Sequence, residues 1–269
     1  MERLSSPLLL LFVGLGAHAA DTVTRPDWQA HFDARGVKGT FVLFDPALDR
    51  YSICNEPRAK QRFIPASTFK IPNAIIGLDV GSITDENEVF AWDGRPKPIP
   101  EWERDQTLAT GMRHSVVWMF QEIARRTGKA RMREWIDRLD YGNRDISGGI
   151  DLFWLQGGLR VSAMEQVDFL HQLAEGRLPA TQRAQRLVRD ALVVEKTREY
   201  TLYAKTGTQP SGTNAIHWWV GWVERKGRPV AYFAMNLTPS AKTVHADRLA
   251  IGRAILREAG ALPSGSPPA

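Results

Sequence analysis

The spacing of hydrophobic and polar positions changes twice along the chain. "DWQAHFDARG" (27–36) reads as a short amphipathic helix ended by Gly36, and "GTFVLFD" (39–45) and "RYSICN" (50–55) read as two strands joined by a turn containing Pro46. Thr68 to Val80 reads as an apolar helix, with Gly81 as its stop. The pattern stays helical from about 82 to 190, broken by the turn-rich pieces "DGRPKPIPEW", "DYGNRDISGG" and "GRLPATQ". Strand patterns then return in "YTLYAKTG" (200–207), "IHWWVGWVE" (216–224) and "VAYFAMNL" (230–237), followed by a helix over about 246–259.

Strands at both ends with helices between them predict an α/β (α+β) fold. The expected architecture is an antiparallel sheet built from both chain ends and flanked by helices, with an inserted all-helical subdomain and the active site in the cleft between. The sheet part is expected at about 20–80 and 191–264, the helical part at about 81–190, all in one domain over 20–264, with a disordered tail at 265–269.

The opening "MERLSSPLLLLFVGLGAHAAD" has Arg3, an apolar run from Leu8 to Leu15, and Ala17 and Ala19 flanking His18. This is the pattern of a secretory signal peptide, so residues 1–19 are set aside and a periplasmic protein is expected. The run is too short to anchor in a bilayer, and no membrane association is expected after cleavage. One cysteine, Cys54, excludes an internal disulfide. The net charge of +5 gives a modest bias toward anionic partners. The densest basic run, "RRTGKARMREW" (125–135), alternates cations with apolar residues at helical spacing, which is a solvated helix face rather than a nucleic-acid patch.

The candidate chemistry begins at "PASTFK" (65–70), where Ser67 and Lys70 stand three apart at a helix start. A serine needs a base before it can attack, and no G-x-S-x-G, H-E-x-x-H or C-x-x-C occurs. No metal site is expected. Two readings stand at this point. Ser67 is an N-cap with Lys70 in solvent, or Lys70, set among Phe69, Ile71 and Pro72, loses solvation, drops its pKa and serves as the base. Taken singly, Ser115 of "RHSVVW" reads as a buried helical serine, and "KTG" (205–207) as a turn or a strand edge along which a substrate backbone could lie.

Taken together, "STFK" (67–70), "SVV" (115–117), "YGN" (141–143), "FWLQG" around Trp154, "KTG" (205–207) and "WWVGW" (218–222) make the chain resemble the penicillin-recognising serine enzymes, and within them the class D β-lactamases. The resemblance runs from "KGTFVLFD" to "RAILREAG". It implies a β-lactam hydrolase in which Ser67 is acylated and Lys70, carrying CO₂ as a carbamate, is the general base. It further implies that Val117 and Trp154 stabilise the carbamate and that Ser115 relays a proton. Lys205, Thr206, Gly207, Thr208 and Arg248 would bind substrate, with Arg253 competing for the role of Arg248. No other cofactor and no nucleic acid are implied, and the expected state is a monomer or homodimer. A β-lactam sensor or a D,D-peptidase, acylated but slow to deacylate, and a non-catalytic binding module remain as alternatives.

Overall fold

The computed structural model describes residues 20–209, 212, 215–240 and 245–265. The expected signal peptide and residues 266–269 of the expected tail lie outside the described residues. Seven strands form one sheet: β1 (Asp21–Thr24), β2 (Lys38–Asp45), β3 (Arg50–Cys54), β4 (Val193–Lys196), β5 (Thr201–Gln209), β6 (Ile216–Arg225) and β7 (Arg228–Thr238). Their order is β1-β3-β2-β7-β6-β5-β4. The two ends of the chain meet at its centre, where β2 pairs antiparallel with β7 from Lys38↔Thr238 to Phe44↔Tyr232. All other neighbours are antiparallel as well, except β1, which lies parallel to β3 at the edge.

The helices are α1 (Gln29–Asp33), α2 (Glu56–Lys60), α3 (Lys70–Asp79), α4 (Leu108–Arg113), α5 (Val117–Thr127), α6 (Lys129–Arg138), α7 (Ala163–Ala174), α8 (Gln182–Ala191) and α9 (His245–Glu258). Strand residues alternate between two cores. On one face Trp28, Phe32, Phe41, Trp219, Phe233 and Ile255 pack together beneath α1 and α9. On the other, Val42, Phe44, Trp218, Trp222 and Tyr232 join the apolar sides of α3, α5 and α7. Because both faces of β6 are covered, Ile216 to Glu224 is buried throughout, and its sequence reads as a continuous apolar run.

Between α3 and β4 the described chain holds helices joined by turns and irregular loops, notably 80–99 and 139–162, with isolated bridges such as Phe90↔Gln106 in place of strands. The basic run divides at Gly128 (φ 78°) between α5 and α6. Met132, Trp135 and Ile136 turn inward, while Arg125 pairs with Glu122 and Asp151, and Arg126 with Glu88 and Glu122. That is the amphipathic division its spacing predicts.

Candidate active site

The segment leading into α3 sets the nucleophile candidate. Ala66–Phe69 forms a 3₁₀ turn, and the α-helix proper starts at Lys70. Three residues per turn in a 3₁₀ helix bring positions i and i+3 into line, so Lys70 Nζ lies 2.6 Å from Ser67 Oγ. Lys70 is fully buried, with its Nζ 5.5 Å from the centre of the Phe120 ring. Burial, reinforced by the nearby Lys205 charge, pushes its pKa well below the ordinary lysine value. Burial therefore favours the neutral amine, the form that can accept the hydroxyl proton of Ser67.

A second lysine–hydroxyl pair stands nearby. Ser115 sits in the tight turn between α4 and α5 with φ +55°, half-buried and outside any helix, which corrects the reading of it as a helical serine. Lys205, on β5, donates from Nζ to Ser115 Oγ at 2.9 Å and to Thr206 O at 3.1 Å. Burial, with help from Arg248, brings the Lys205 pKa down to about 7. Val117, half-buried, is the first residue of α5.

β5 lies close against the nucleophile turn because residue 207 has no side chain. A Cβ there would stand 2.9 Å from Pro65 O and 3.1 Å from Thr68 Cγ2. Arg248, on α9, donates from Nη1 to Thr208 Oγ1 at 2.6 Å and to Gly207 O at 3.2 Å. Burial lowers its pKa to about 10. Arg253 is paired with Glu195 of β4 at 2.5 Å and lines a cavity with Lys205 and Thr206, so of the two arginines Arg248 is the one hydrogen-bonded to Gly207 and Thr208. β4 pairs only with Thr201 to Tyr203, and Lys205 to Gln209 lie beyond its reach as an open strand edge.

Trp154 is fully buried in a turn-rich loop, stacked on Phe69 at 5.2 Å and edge-on to Phe153. Its carbonyl accepts from Ala66 N at 3.0 Å, while its indole Nε1 is buried with no hydrogen-bond partner. The Y-G-N triplet anchors this loop. Tyr141 packs edge-on to Phe69, Asn143 N donates to Arg160 O at 2.9 Å, and Asn143 Oδ1 accepts from Arg160 N at 2.8 Å. Gly142 holds φ +58°, and a Cβ there would come within 2.1 Å of Arg160 O. Replacing it with alanine requires backbone to move, so Gly142→Ala is expected to cost about 2 kcal/mol or more and lower Tm by roughly 4–8 °C in thermal denaturation.

Pattern reading did not find Phe120, which shields the amine, or Thr68 and Gln166, whose side chains bond each other beneath the turn. A buried phenylalanine and a helical glutamine carry no local sequence signal. Among the described residues no cluster of three or more His, Cys, Asp or Glu side chains could hold a metal, and no helix is long and apolar enough to cross a membrane.

The family described as penicillin binding protein transpeptidase domain matches residues 39–258. β-Lactamase OXA-48 of Klebsiella pneumoniae is 41% identical over 256 residues, 95% of this chain and 96% of that protein. The chain belongs to the class D β-lactamases. β-Lactamase OXA-5 of Pseudomonas aeruginosa is 40% identical over 98% of this chain and 100% of its own length. Among solved class D β-lactamases, YbXI from Nostoc superposes with a TM-score of 0.84 at 35% identity, covering 87% of this chain and 99% of that one. BAT-2 gives 0.81 at 38% identity over 88% and 97%. As a class D β-lactamase the chain is a serine enzyme, and its mixed fold is the one these structures share.

Proposed function

We propose that this class D β-lactamase hydrolyses the β-lactam ring of penicillin-type antibiotics through an acyl-enzyme on Ser67, with Lys70, carrying CO₂ as a carbamate, as general base. The observation that carries the reading is the fully buried Lys70 amine 2.6 Å from Ser67 Oγ. CO₂ adds only to an unprotonated amine, which burial supplies, and the orphaned Trp154 Nε1–H beside Phe69 is a donor awaiting an anionic acceptor. The residues fit the group: Lys70 would hold it, Trp154 would donate to it, and Val117 would limit water around it. Once bound, it would supply an anionic base in place of a neutral one.

In this mechanism the Lys70 side chain takes the Ser67 proton as Oγ attacks the lactam carbonyl carbon. The backbone N–H groups of Ser67 and Thr208 hold the oxyanion, each contributing about 3 kcal/mol to lowering the barrier. When the ring C–N bond breaks, the proton taken from Ser67 passes from the Lys70 side chain through the Ser115 hydroxyl to the departing nitrogen, and Lys205 supplies positive potential to Ser115 and to that nitrogen. Lys205, Thr206 and Arg248 bind the substrate carboxylate, and Gly207 lets the β5 edge lie close against the Ser67 turn. A water then attacks the Ser67 ester; the Lys70 side chain takes its proton and returns it to Ser67 Oγ as the carbonyl C–Oγ bond breaks, which restores both groups. Export to the periplasm after removal of residues 1–19 belongs to the same reading.

Intact-mass measurement after brief and prolonged exposure to a penicillin tests this proposal. The expected result is a covalent adduct that decays within minutes when bicarbonate is present, persists in CO₂-purged buffer, and is absent from Ser67→Ala. An adduct that persists whatever the CO₂ supply would point to a sensor or a slow peptidase instead.

A further inference from the structure

Beneath the nucleophile turn runs a buried polar chain that none of these steps uses. Gln166, in the first turns of α7 and 1% exposed, donates from Nε2 to Thr68 Oγ1 at 2.8 Å. Thr68 Oγ1 donates onward to Pro65 O at 2.8 Å, a carbonyl that also accepts from Thr68 N at 3.2 Å. Tyr141 OH donates to Gln166 Oε1 at 3.4 Å, which orients the amide from behind. A hydroxyl has a single proton. While the Gln166 amide donates to Thr68 Oγ1, that proton is directed at Pro65.

Between Pro65 and Thr68 lies Ala66, with φ +49°, a conformation that a residue bearing a Cβ keeps only when its surroundings impose it. One restraint is its own N–H on Trp154 O. The other is the pair of hydrogen bonds that Thr68 donates, from N–H and Oγ1, to Pro65 O, closing the turn. The same turn fits against Gly207, so a change in it moves Ser67 relative to both Lys70 and β5.

We propose that Gln166 is a positioning residue for the hydrolysis: by holding the Thr68 hydroxyl on Pro65 O, it maintains the left-handed turn that sets Ser67 Oγ against Lys70 Nζ. The inference rests on the reading of Ser67 as nucleophile and Lys70 as base. Gln166→Met keeps the side-chain length and removes the donor. It is expected to lower kcat for a penicillin by ten- to about a hundredfold, the scale of a slight misplacement of reacting groups, with KM within about twofold. Adding Thr68→Val to it should cost little more, because the two side chains act through one bond.

Gln166→Glu gives a second, independent readout. Protonated, the buried carboxyl still donates to Thr68. Ionised, it can only accept, and it turns the Thr68 proton away from Pro65. The ratio of its kcat to that of the wild type is therefore expected to fall steadily as pH rises. Wild-type kcat in Gln166→Met, or a loss in both variants that is independent of pH and follows a fall in Tm, would overturn the inference and leave Gln166 as packing. A wild-type enzyme that forms no Ser67 adduct would overturn the underlying reading instead.

Discussion

Lys70→Ala is expected to lower kcat for a penicillin by two to four orders of magnitude, the range assigned to a general base. The loss should be this large because nothing else near Ser67 can substitute. The other lysine of the site, Lys205, is bonded to Ser115 and the Thr206 carbonyl rather than to Ser67. Both proton transfers in the proposed mechanism use position 70, so acylation and deacylation should slow together. Rapid-quench mass spectrometry should accordingly show an adduct that forms slowly and then persists. Turnover within tenfold of the wild type would exclude Lys70 as the base.

The same burial should appear in stability. Lys70 and Lys205 have folded-state pKa values below the ordinary value of 10.5, Lys205 at about 7. Above these values, and below those of the unfolded chain, the unfolded chain binds more protons than the fold, so stability rises with pH. Between about pH 7.5 and 9 the contribution of Lys205 should approach about 1.4 kcal/mol per pH unit, and Lys70 should add to it in the same direction. Higher pH reverses part of the gain, because burial raises the Cys54 thiol to about 11 and the fold then retains a proton that the unfolded chain releases. Denaturant unfolding in CO₂-purged buffer at several pH values checks this, with Lys70→Met expected to make the slope shallower. A flat profile would mean that both amines stay charged in the fold.

Legibility in the sequence varied with the kind of signal a residue carries. β5, β6 and β7 were readable because each is a long apolar run bounded by turn residues, and α9 because it follows them with helical spacing. β1 and β4 were not. Each has four residues, β1 is exposed along its length, and the pairing of β4 is irregular between Val193 and Glu195, so neither shows the alternation of a buried face. The parallel pairing of β1 depends on tertiary contacts alone.

At the site, the spacing of Ser67 and Lys70 was legible as a pair, but its 3₁₀ geometry was not. The positive φ angles of Ala66 and Ser115 were hidden too, since neither residue type signals a left-handed backbone. Lys70, Lys205 and Arg248 converge from α3, β5 and α9 through the sheet, a proximity that no local pattern can carry.

The pairing of β2 with β7 also governs how the molecule can assemble. During synthesis from the amino end, the apolar stretch from Phe41 to Phe44 emerges long before its partner Tyr232–Met235 exists. Joining them closes a loop that contains every intervening helix, a step whose entropic cost makes acquisition of the native state slow and leaves sticky strands bare in the interval. A ribosome-bound fragment lacking the last strand therefore carries Ser67 and Lys70 without a completed sheet to hold them, and catalytic competence arrives only when the final segment has been made.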